Sequence, residues 1–290
     1  MAKIAVALKE AIRAKRERGE PGFATGRLLA RGDGWRVSDV LCTSGPDDKP
    51  FEEKHDAVSI AIVAAGTFQY RTTSHRQLMS PGSLLLGHPG KSFECAHEHG
   101  TGDRCIAFHL DPDWFSRVTD HAPHFRLHRI PPLREFTPLI AAACAALDDA
   151  DASWHELAIA LAARVASVAN DTPRHDASSR DTDARNAEAR IARAVRILER
   201  HTDVALDTLA RDAGLTPWHF LRTFTRVTGV TPHQFALRAR LRNAALRLAQ
   251  TDAKVIDVAL DSGFGDVSNF TRTFRAEFGV TPRQYRVVAR

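Results

Sequence analysis

Residues 220–232 read FLRTFTRVTGVTP, and residues 270–282 read FTRTFRAEFGVTP, a near-copy that follows 50 positions later. A glycine-containing segment precedes each of them: LARDAGL at 209–215 and VALDSGF at 258–264. A period of about 50 residues is typical of a duplicated supersecondary unit. Each unit predicts a helix, a tight glycine turn and a second helix with an arginine on its exposed face. This is the pattern of a helix-turn-helix, and two copies indicate a DNA-binding chain.

Local signals for helix starts, core positions and turns agree with a helix-turn-helix. Thr216 before Pro217 predicts the start of one helix, and Thr231 before Pro232 predicts the start of a longer one, because threonine caps helices and proline is tolerated in their first turn. Four phenylalanines at i, i+4 spacing are expected to face the core: Phe220, Phe224, Phe270 and Phe274. The turn glycines, Gly214 and Gly263, are expected to supply a positive φ.

The basic charge of the chain is concentrated in the repeat. The formal net charge is +5. Residues 187–290 hold 17 Arg and Lys against 10 Asp and Glu, whereas residues 1–186 hold 23 against 25. A basic excess in one region is what binding to nucleic-acid phosphates requires, although an arginine-rich face that is merely solvated is the alternative.

The first turns of the two second helices carry the candidate base-reading residues, since a recognition helix enters the major groove near its N-terminus. They are Trp218, His219, Arg222 and Thr223 in the first copy, and Asp266, Ser268, Asn269, Arg272 and Thr273 in the second. Arginine can bind guanine through two hydrogen bonds, and asparagine can bind adenine in the same way. Arg226 and Arg275 lie further along and are expected to contact phosphates.

Length and composition favour a cytoplasmic protein of about two domains. The chain has 290 residues, 43% hydrophobic and 26% charged, and lacks an apolar run of the roughly 18–20 residues that span a bilayer. The N-terminus predicts an amphipathic helix, with Ile4, Leu8 and Ile12 on one face, instead of an export signal. Four cysteines in a chain of this length do not predict a disulfide framework.

The N-terminal half has a different pattern from the repeat. Short β-branched runs at 58–65, 67–73 and 84–86, separated by glycine and proline turns, predict strands of a sandwich or small barrel. Ala-rich segments at 133–147 and 154–168 predict two antiparallel helices that serve a dimer interface or cover the barrel. Residues 170–186 are polar and aperiodic, so we expect a linker there between domains at 1–169 and 187–290.

The repeat resembles the AraC/XylS family of bacterial transcription regulators. The resemblance rests on Ala210-x3-Gly214, Trp218-His219-Phe220-x-Arg222-x-Phe224 and Gly229-x-Thr231-Pro232 with their second copies up to Tyr285, and it covers about residues 190–290. It implies a seven-helix domain whose two recognition helices enter successive major grooves, with Arg222 and Arg272 as base-contacting positions. It also implies promoter DNA and RNA polymerase as partners. The resulting fold class is α+β: an N-terminal cupin-like β-barrel or sandwich with trailing helices, and a C-terminal all-α domain with two helix-turn-helix motifs.

The N-terminal half contains one unusual set of possible ligands. Alternation along a strand places one cysteine and two histidines on the same face. If Gly102 centres a hairpin, a second cysteine and a third histidine join them, which would suit Zn²⁺ or Cu⁺. The set is Cys95, His97, His99, Cys105 and His109. A register shift of one residue would disperse it. A buried cysteine with polar histidines at the rim, a redox switch and the lining of an organic-effector pocket are the alternatives.

We therefore expect a non-enzymatic regulator, dimeric and responsive to a small-molecule or metal effector through its N-terminal domain. A cupin-type metal enzyme with a DNA-binding tail is the rival hypothesis. The sequence lacks the Gly, His-x-His and Glu pattern that a metal-binding cupin would show, which disfavours this rival. A DNA-binding dimer without an effector is a third possibility.

Overall fold

The computed structural model describes residues 2–73, 75–171, 182–201 and 203–288. Its strands are β1 (Ala24–Gly32), β2 (Trp35–Cys42), β3 (Phe51–Lys54), β4 (Val58–Gly66), β5 (Phe68–Arg71), β6 (Arg76–Met79), β7 (Leu84–Gly87), β8 (Ser92–Ala96), β9 (Asp103–Leu110) and β10 (Arg129–Ile130). Its α-helices are α1 (Ala2–Arg18), α2 (Pro112–Thr119), α3 (Thr137–Ala146), α4 (Trp154–Asp171), α5 (Thr182–Arg200), α6 (Leu206–Asp212), α7 (Pro217–Thr228), α8 (Pro232–Gln250), α9 (Val255–Asp261), α10 (Val267–Phe278) and α11 (Pro282–Val288).

The N-terminal strands form two antiparallel sheets. One has the order β1-β2-β9-β4-β7-β10, and the other has the order β3-β8-β5-β6. β4 is buried along its whole length. Ile60 and Ile62 on one of its faces pack with α3 and α4, while Ala61 and Val63 on the other pack with residues of the second sheet. A strand covered on both faces has a continuous apolar sequence, which explains the run at 58–65.

The Ala-rich helices α3 and α4 cover the first sheet. Ile140 of α3 and Leu161 and Val165 of α4 belong to the same buried cluster as the β4 residues. α3 also packs against α8 of the C-terminal half. These helices therefore cover the barrel, one of the two roles that the sequence left open.

The expected linker overlaps helices at both ends. α4 continues to Asp171, and α5 begins at Thr182. Of the segment 170–186, residues 172–181 lie outside the described residues. The residues 182–186 are polar, but they precede the apolar face of α5 that Ile191, Val195 and Leu198 form. A helix can extend beyond its buried face, so composition alone placed its start too late.

The C-terminal helices bury two phenylalanine-rich cores. The first contains Phe220 and Phe224 with residues of α5, α6 and the start of α8. The second contains Phe270 and Phe274 with residues of α8 and α9. All four phenylalanines have no exposed surface, as the i, i+4 spacing predicted.

The two halves of the chain share these cores. Leu78 of β6 lies in the first C-terminal core, and Ala141 of α3 lies in the second. Polar contacts cross the same boundary: Arg238 donates to the Pro132 carbonyl over 2.9 Å, and Gln250 donates to Asp148 over 3.0 Å. The N-terminal half therefore contributes directly to the packing of the helix-turn-helix region.

Candidate nucleic-acid interface

The helices α7 and α10 begin with capped first turns. The Thr216 hydroxyl accepts a hydrogen bond from the His219 amide over 3.3 Å, as predicted for an N-cap. The Asp266 carboxylate accepts one from the Asn269 amide over 2.7 Å. Side-chain oxygens at this position satisfy amides that the helix leaves unpaired. The caps thereby stabilise the first turn of each helix.

The turns before these helices use glycine in the left-handed region. Gly214 has φ +65° and Gly263 has φ +79°. A side chain at such a φ is sterically disfavoured, so glycine sets the angle between the two helices of each motif. Both assignments from the sequence are confirmed.

The outer face of α7 presents aromatic and cationic groups. Trp218 is 70% exposed, and the Arg222 guanidinium lies over its ring at 5.7 Å from the centroid. His219 and Arg226 are exposed as well. The Trp218 ring holds the arginine near the first turn, because a cation over an aromatic face is attracted to it.

The outer face of α10 presents smaller polar groups. Ser268, Asn269, Arg272 and Arg275 are exposed. Arg272 donates to the Asn269 side-chain oxygen over 3.2 Å, and the Thr273 hydroxyl donates to the same oxygen over 3.4 Å. An amide, instead of an aromatic ring, therefore orients the arginine of the second copy.

The prediction that Thr223 contacts a base is wrong. Thr223 is only 4% exposed, and Thr273 is half-buried. Each follows a buried phenylalanine by three residues, and residues three apart share a helix face. Thr223 therefore packs inward and is not available to a base.

The C-terminal ends of the two helices contact the N-terminal half. The Arg129 guanidinium donates to the Val227 carbonyl over 2.8 Å and to the Leu78 carbonyl over 2.9 Å. Glu277 accepts from the Thr137 hydroxyl over 2.7 Å and pairs with Arg238 at 3.3 Å. These contacts leave the first turns of α7 and α10, at the opposite ends of the helices, as the exposed parts. The sequence carried no periodic signal for the contacts that Arg129 and Glu277 make.

The predicted hairpin that would unite Cys95, His97, His99, Cys105 and His109 is wrong. β8 pairs with β3 and β5, whereas β9 pairs with β2 and β4 of the other sheet. The segment 97–102 therefore connects two sheets and does not form a tight turn between paired strands. His109 lies near the far end of β9, where its Nδ1 is 3.7 Å from Asp56. The His99 ring bonds to the hydroxyls of Thr67 and Thr101.

A different group forms at the other end of β9. His97 Nε2 lies 2.5 Å from Asp103 Oδ2, and the Cys42 sulfur lies within 4.8 Å of the ligand atoms of both residues. Burial opposes a charge on His97, but Asp103 and then Cys42 raise its pKa to about 10. Burial raises the pKa of the Cys95 and Cys105 thiols. Since the thiolate is the reactive form, these two pKa shifts disfavour a redox switch. Cys42 and Asp103, distant in sequence, were not among the predicted residues.

A cavity of about 660 Å³ separates α1, the ends of the barrel strands and α5. Leu8 and Ile12 of α1 supply apolar lining, in accord with the predicted amphipathic helix, whereas the side chain of Ile4 lies outside the described residues. Its cationic lining consists of Lys9, Arg13, Arg16, Arg196 and Arg200. The Gly66 amide donates to the Glu199 carboxylate beside it, and burial raises the pKa of Glu199 to about 7.

None of the helices in the described ranges combines the length and the apolar character that crossing a membrane requires.

Comparisons with known proteins agree with both halves of this architecture. Residues 42–166 match the family described as an AraC-like ligand binding domain, and residues 209–287 match a helix-turn-helix domain. The regulatory protein SoxS of Salmonella typhimurium is 35% identical over 91 residues, which are 31% of this chain and 85% of SoxS. The chain belongs to the AraC/XylS family. The probable transcription factor PqrA of Proteus vulgaris is 35% identical over 89 residues, covering 31% of this chain and 73% of PqrA.

The chain is also similar to solved structures. ToxT of Vibrio cholerae is 12% identical over 89% of this chain and 99% of ToxT, with a TM-score of 0.36. An AraC-type regulator from Chromobacterium violaceum is 26% identical over 36% of this chain and 96% of its own, with a TM-score of 0.34. The AraC/XylS chain described here is a DNA-binding transcription regulator with an N-terminal ligand-binding domain, and its predicted fold class is confirmed.

Proposed function

We propose that α7 and α10 read bases in two successive major grooves of promoter DNA. Arg222 and Arg272 are assigned to guanine edges, because both are exposed near the capped start of a helix and arginine binds guanine through two hydrogen bonds. The observation that carries the proposal is the presence of two such first turns, 50 residues apart, on a shared scaffold.

The neighbours of these arginines have supporting roles. Trp218, His219, Ser268 and Asn269 line the same surfaces and complete the contacts to the grooves. Arg226 and Arg275, one turn or less further along, bind phosphates and set the register on the duplex. Thr273 orients Asn269 through their hydrogen bond, and Thr223 contributes packing only.

The N-terminal domain makes DNA binding responsive to an effector in this proposal. We assign the effector to the cavity between α1 and α5, because one wall belongs to the ligand-binding half and the other to the first helix of the DNA-binding half. Arginines on both walls and apolar residues of α1 favour an anionic molecule with an apolar portion. Such a molecule would couple the two halves by binding one arrangement of them more tightly.

The remaining assignments rest on family membership. We propose that the regulator works in the cytoplasm as a homodimer, contacts RNA polymerase and carries out no catalytic step, since the relatives above are transcription factors and regulatory proteins. We place the boundary between the two functional units within residues 172–181, between α4 and α5.

Binding of the full-length protein to genomic promoter fragments at fixed salt tests the base-reading assignment. Arg222→Ala and Arg272→Ala are each expected to weaken specific binding roughly 5- to 150-fold, the cost of 1–3 kcal/mol for a good base contact. Each change should also relax the sequence preference in its own half of the site. Arg193→Ala is the matched control, because it removes the same charge from an exposed position of α5.

The proposal is contradicted by a result in which the two arginine variants behave like the control. If Arg222→Ala and Arg272→Ala weaken binding no more than Arg193→Ala does and leave the preferred sequence unchanged, the two arginines contact phosphates or solvent and do not read bases.

A further inference from the structure

Four potential metal ligands converge at one end of the barrel. Cys42 ends β2 and is paired in register with Asp103, the first residue of β9. Cys105 follows two residues later on β9 and so points to the same side of the strand as Asp103. His97 comes from the second sheet, directly after β8. Two parts of the chain that are distant in sequence, the end of β2 and the segment 97–105, thus supply two thiols, an imidazole and a carboxylate.

Three of the four donor groups are close enough for a single ion. The ligand atoms of Cys42, His97 and Asp103 all lie within 4.8 Å of one another, and all three residues are buried. The Cys105 sulfur lies 3.6 Å from Asp103 Oδ1. Ligands about 2.0–2.3 Å from a tetrahedral ion are roughly 3.3–3.8 Å apart, so small side-chain movements would place an ion among Cys42, His97 and Asp103. Cys105, which contacts Asp103 but lies outside this group of three, would have to turn toward the ion to become the fourth ligand.

We propose that Cys42, His97, Asp103 and Cys105 form a binding site for a thiophilic divalent cation, with Zn²⁺ the best match. Two sulfurs, one imidazole nitrogen and one carboxylate oxygen suit Zn²⁺, whereas Mg²⁺ and Ca²⁺ prefer oxygen alone. Binding releases the protons of both thiols and of a protonated His97 to solvent, because each coordinating group must be deprotonated.

A cleft of about 170 Å³ approaches the site and opens between the 44–50 segment and β8. Cys95, His97 and Asp48 are among its lining residues. Asp48 on its wall attracts cations, although Lys15 pairs with it at 2.6 Å. The His97 side chain is only 1% exposed, so the wall of the cleft must open locally for an ion to reach the site.

The segment 97–102 connects the site to the DNA-binding half. After His97 the chain passes His99, which bonds to Thr67 and lies near Arg196 of α5. The adjacent Gly66 amide donates to Glu199 of α5, and Gly66 is the register partner of Asp103. Replacement of the His97–Asp103 pair by a metal would move the ends of this segment. We extend the proposal accordingly: metal loading alters DNA affinity, a consequence that rests on the function proposed above.

Metal titration of the full-length, reduced protein tests the site without DNA. After treatment with a chelator, Co²⁺ is expected to bind at one ion per chain and to produce thiolate-to-cobalt charge-transfer absorption, which Zn²⁺ then abolishes. Cys42→Ser and Cys105→Ser should each weaken Zn²⁺ binding by more than about 100-fold in competition with a chromophoric chelator, since loss of an outer-shell partner alone costs about 10- to 100-fold.

Cys144→Ser is the matched control, because Cys144 is an equally buried cysteine on α3, away from the cluster. It should leave both the cobalt absorption and the Zn²⁺ affinity unchanged. Absence of the charge-transfer absorption in the unmodified protein would overturn the site even if a cysteine variant failed to fold. Its survival in Cys42→Ser would overturn the ligand assignment.

A separate measurement tests the coupling between metal loading and DNA affinity. DNA affinity is compared for the metal-loaded and metal-free forms of the unmodified protein and of Cys105→Ser. A metal-dependent change in the unmodified protein that is lost in the variant supports the coupling. Equal DNA affinity of the two forms, with the cobalt absorption intact, would overturn the coupling and leave the metal site. Failure of all specific DNA binding would instead contradict the proposed function.

Discussion

The two copies of the helix-turn-helix share their buried residues but differ on their outer faces. Phe220 and Phe224 correspond to Phe270 and Phe274, and all four are fully buried. On the surface, by contrast, Trp218 corresponds to Ser268. The duplicated core specifies the same helix pair twice, whereas the outer residues give each pair its own chemistry. The two halves of a bound DNA site are therefore expected to differ in sequence.

The copies also differ in how they are attached to the N-terminal half. Arg129 binds the first copy through the backbone carbonyl of Val227. The second copy is bound through the side chain of Glu277, the residue that corresponds to Val227. In addition, α5 packs against α7 and carries Glu199 to the barrel. A substitution of Glu277 can thus weaken the attachment of the second copy, which α3 still contacts, whereas a substitution of Val227 keeps the carbonyl that Arg129 binds.

The largest expected effect tests the equivalence of the cores. Phe224→Ala and Phe274→Ala should each lower the free energy of unfolding by about 3–5 kcal/mol, because each removes a fully buried ring and leaves a cavity. Urea denaturation measures both. Leu221→Ala, at a position 37% exposed, is the control and should cost below about 1 kcal/mol. Costs for the two phenylalanines that differ by more than about 2 kcal/mol would show that the cores are not equivalent.

The next effect concerns the attachment of the first copy and depends on pH. Burial raises the pKa of Glu199 to about 7 from 4.5, despite the nearby Arg196, Arg200 and Arg242. Between these two pH values the folded protein holds a proton that the unfolded chain releases. The stabilisation that protonated Glu199 provides is therefore complete below pH 4.5 and is lost as the pH rises through 7. At about 1.4 kcal/mol per pKa unit, the loss reaches about 3 kcal/mol at most.

Thermal denaturation between pH 5 and pH 8 measures this dependence. Glu199→Gln cannot ionise, so the difference in stability between the two proteins should shift in favour of the variant as the pH rises. A difference that stays constant across this range would mean that Glu199 is charged throughout, with an ordinary pKa.

The attachment of the second copy gives a somewhat smaller effect. Glu277→Ala should destabilise the protein by roughly 1.5–3 kcal/mol, the contribution of a hydrogen bond that involves a charged group, because Thr137 and Arg238 lose their acceptor. Val227→Ala at the corresponding, half-buried position of the first copy keeps the backbone carbonyl that Arg129 binds and should cost less. The comparison fails if Val227→Ala proves the more damaging in urea denaturation.

The smallest effect distinguishes the two helix caps. Thr216→Ala should cost about 1 kcal/mol, the usual contribution of an N-cap hydrogen bond. Asp266→Ala should cost an additional 0.3–1 kcal/mol or so, because a negative charge near a helix N-terminus is favourable. High salt should reduce the additional cost of Asp266→Ala and leave that of Thr216→Ala unchanged. Equal salt dependence would show that the carboxylate acts only as a hydrogen-bond acceptor.

The sequence predicted the C-terminal half in more detail than the N-terminal half, because helix caps, turn glycines and i, i+4 phenylalanines are local signals. Even there, Thr223 was misplaced, since the i+3 position after Phe220 was treated as outward-facing. The N-terminal strands were predicted, but their pairing was not. Alternation fixes which residues share a face of one strand and leaves the partner strand undetermined. Cys42 and Asp103 are 61 positions apart in sequence, so only the sheet register brings them together.

The contact between Gly82 and Arg242 limits how this regulator can be recombined. Gly82 has φ +85°, and a Cβ at this position would lie 2.7 Å from the guanidinium of Arg242, which is only 4% exposed on α8. A chimera that combines residues 182–290 with another sensor must keep glycine at the matching position. Otherwise a side chain there would be strained at this φ and would force the buried Arg242 guanidinium to move. The pairing of this DNA-binding domain with a new N-terminal domain therefore has to accommodate the contact between Gly82 and Arg242.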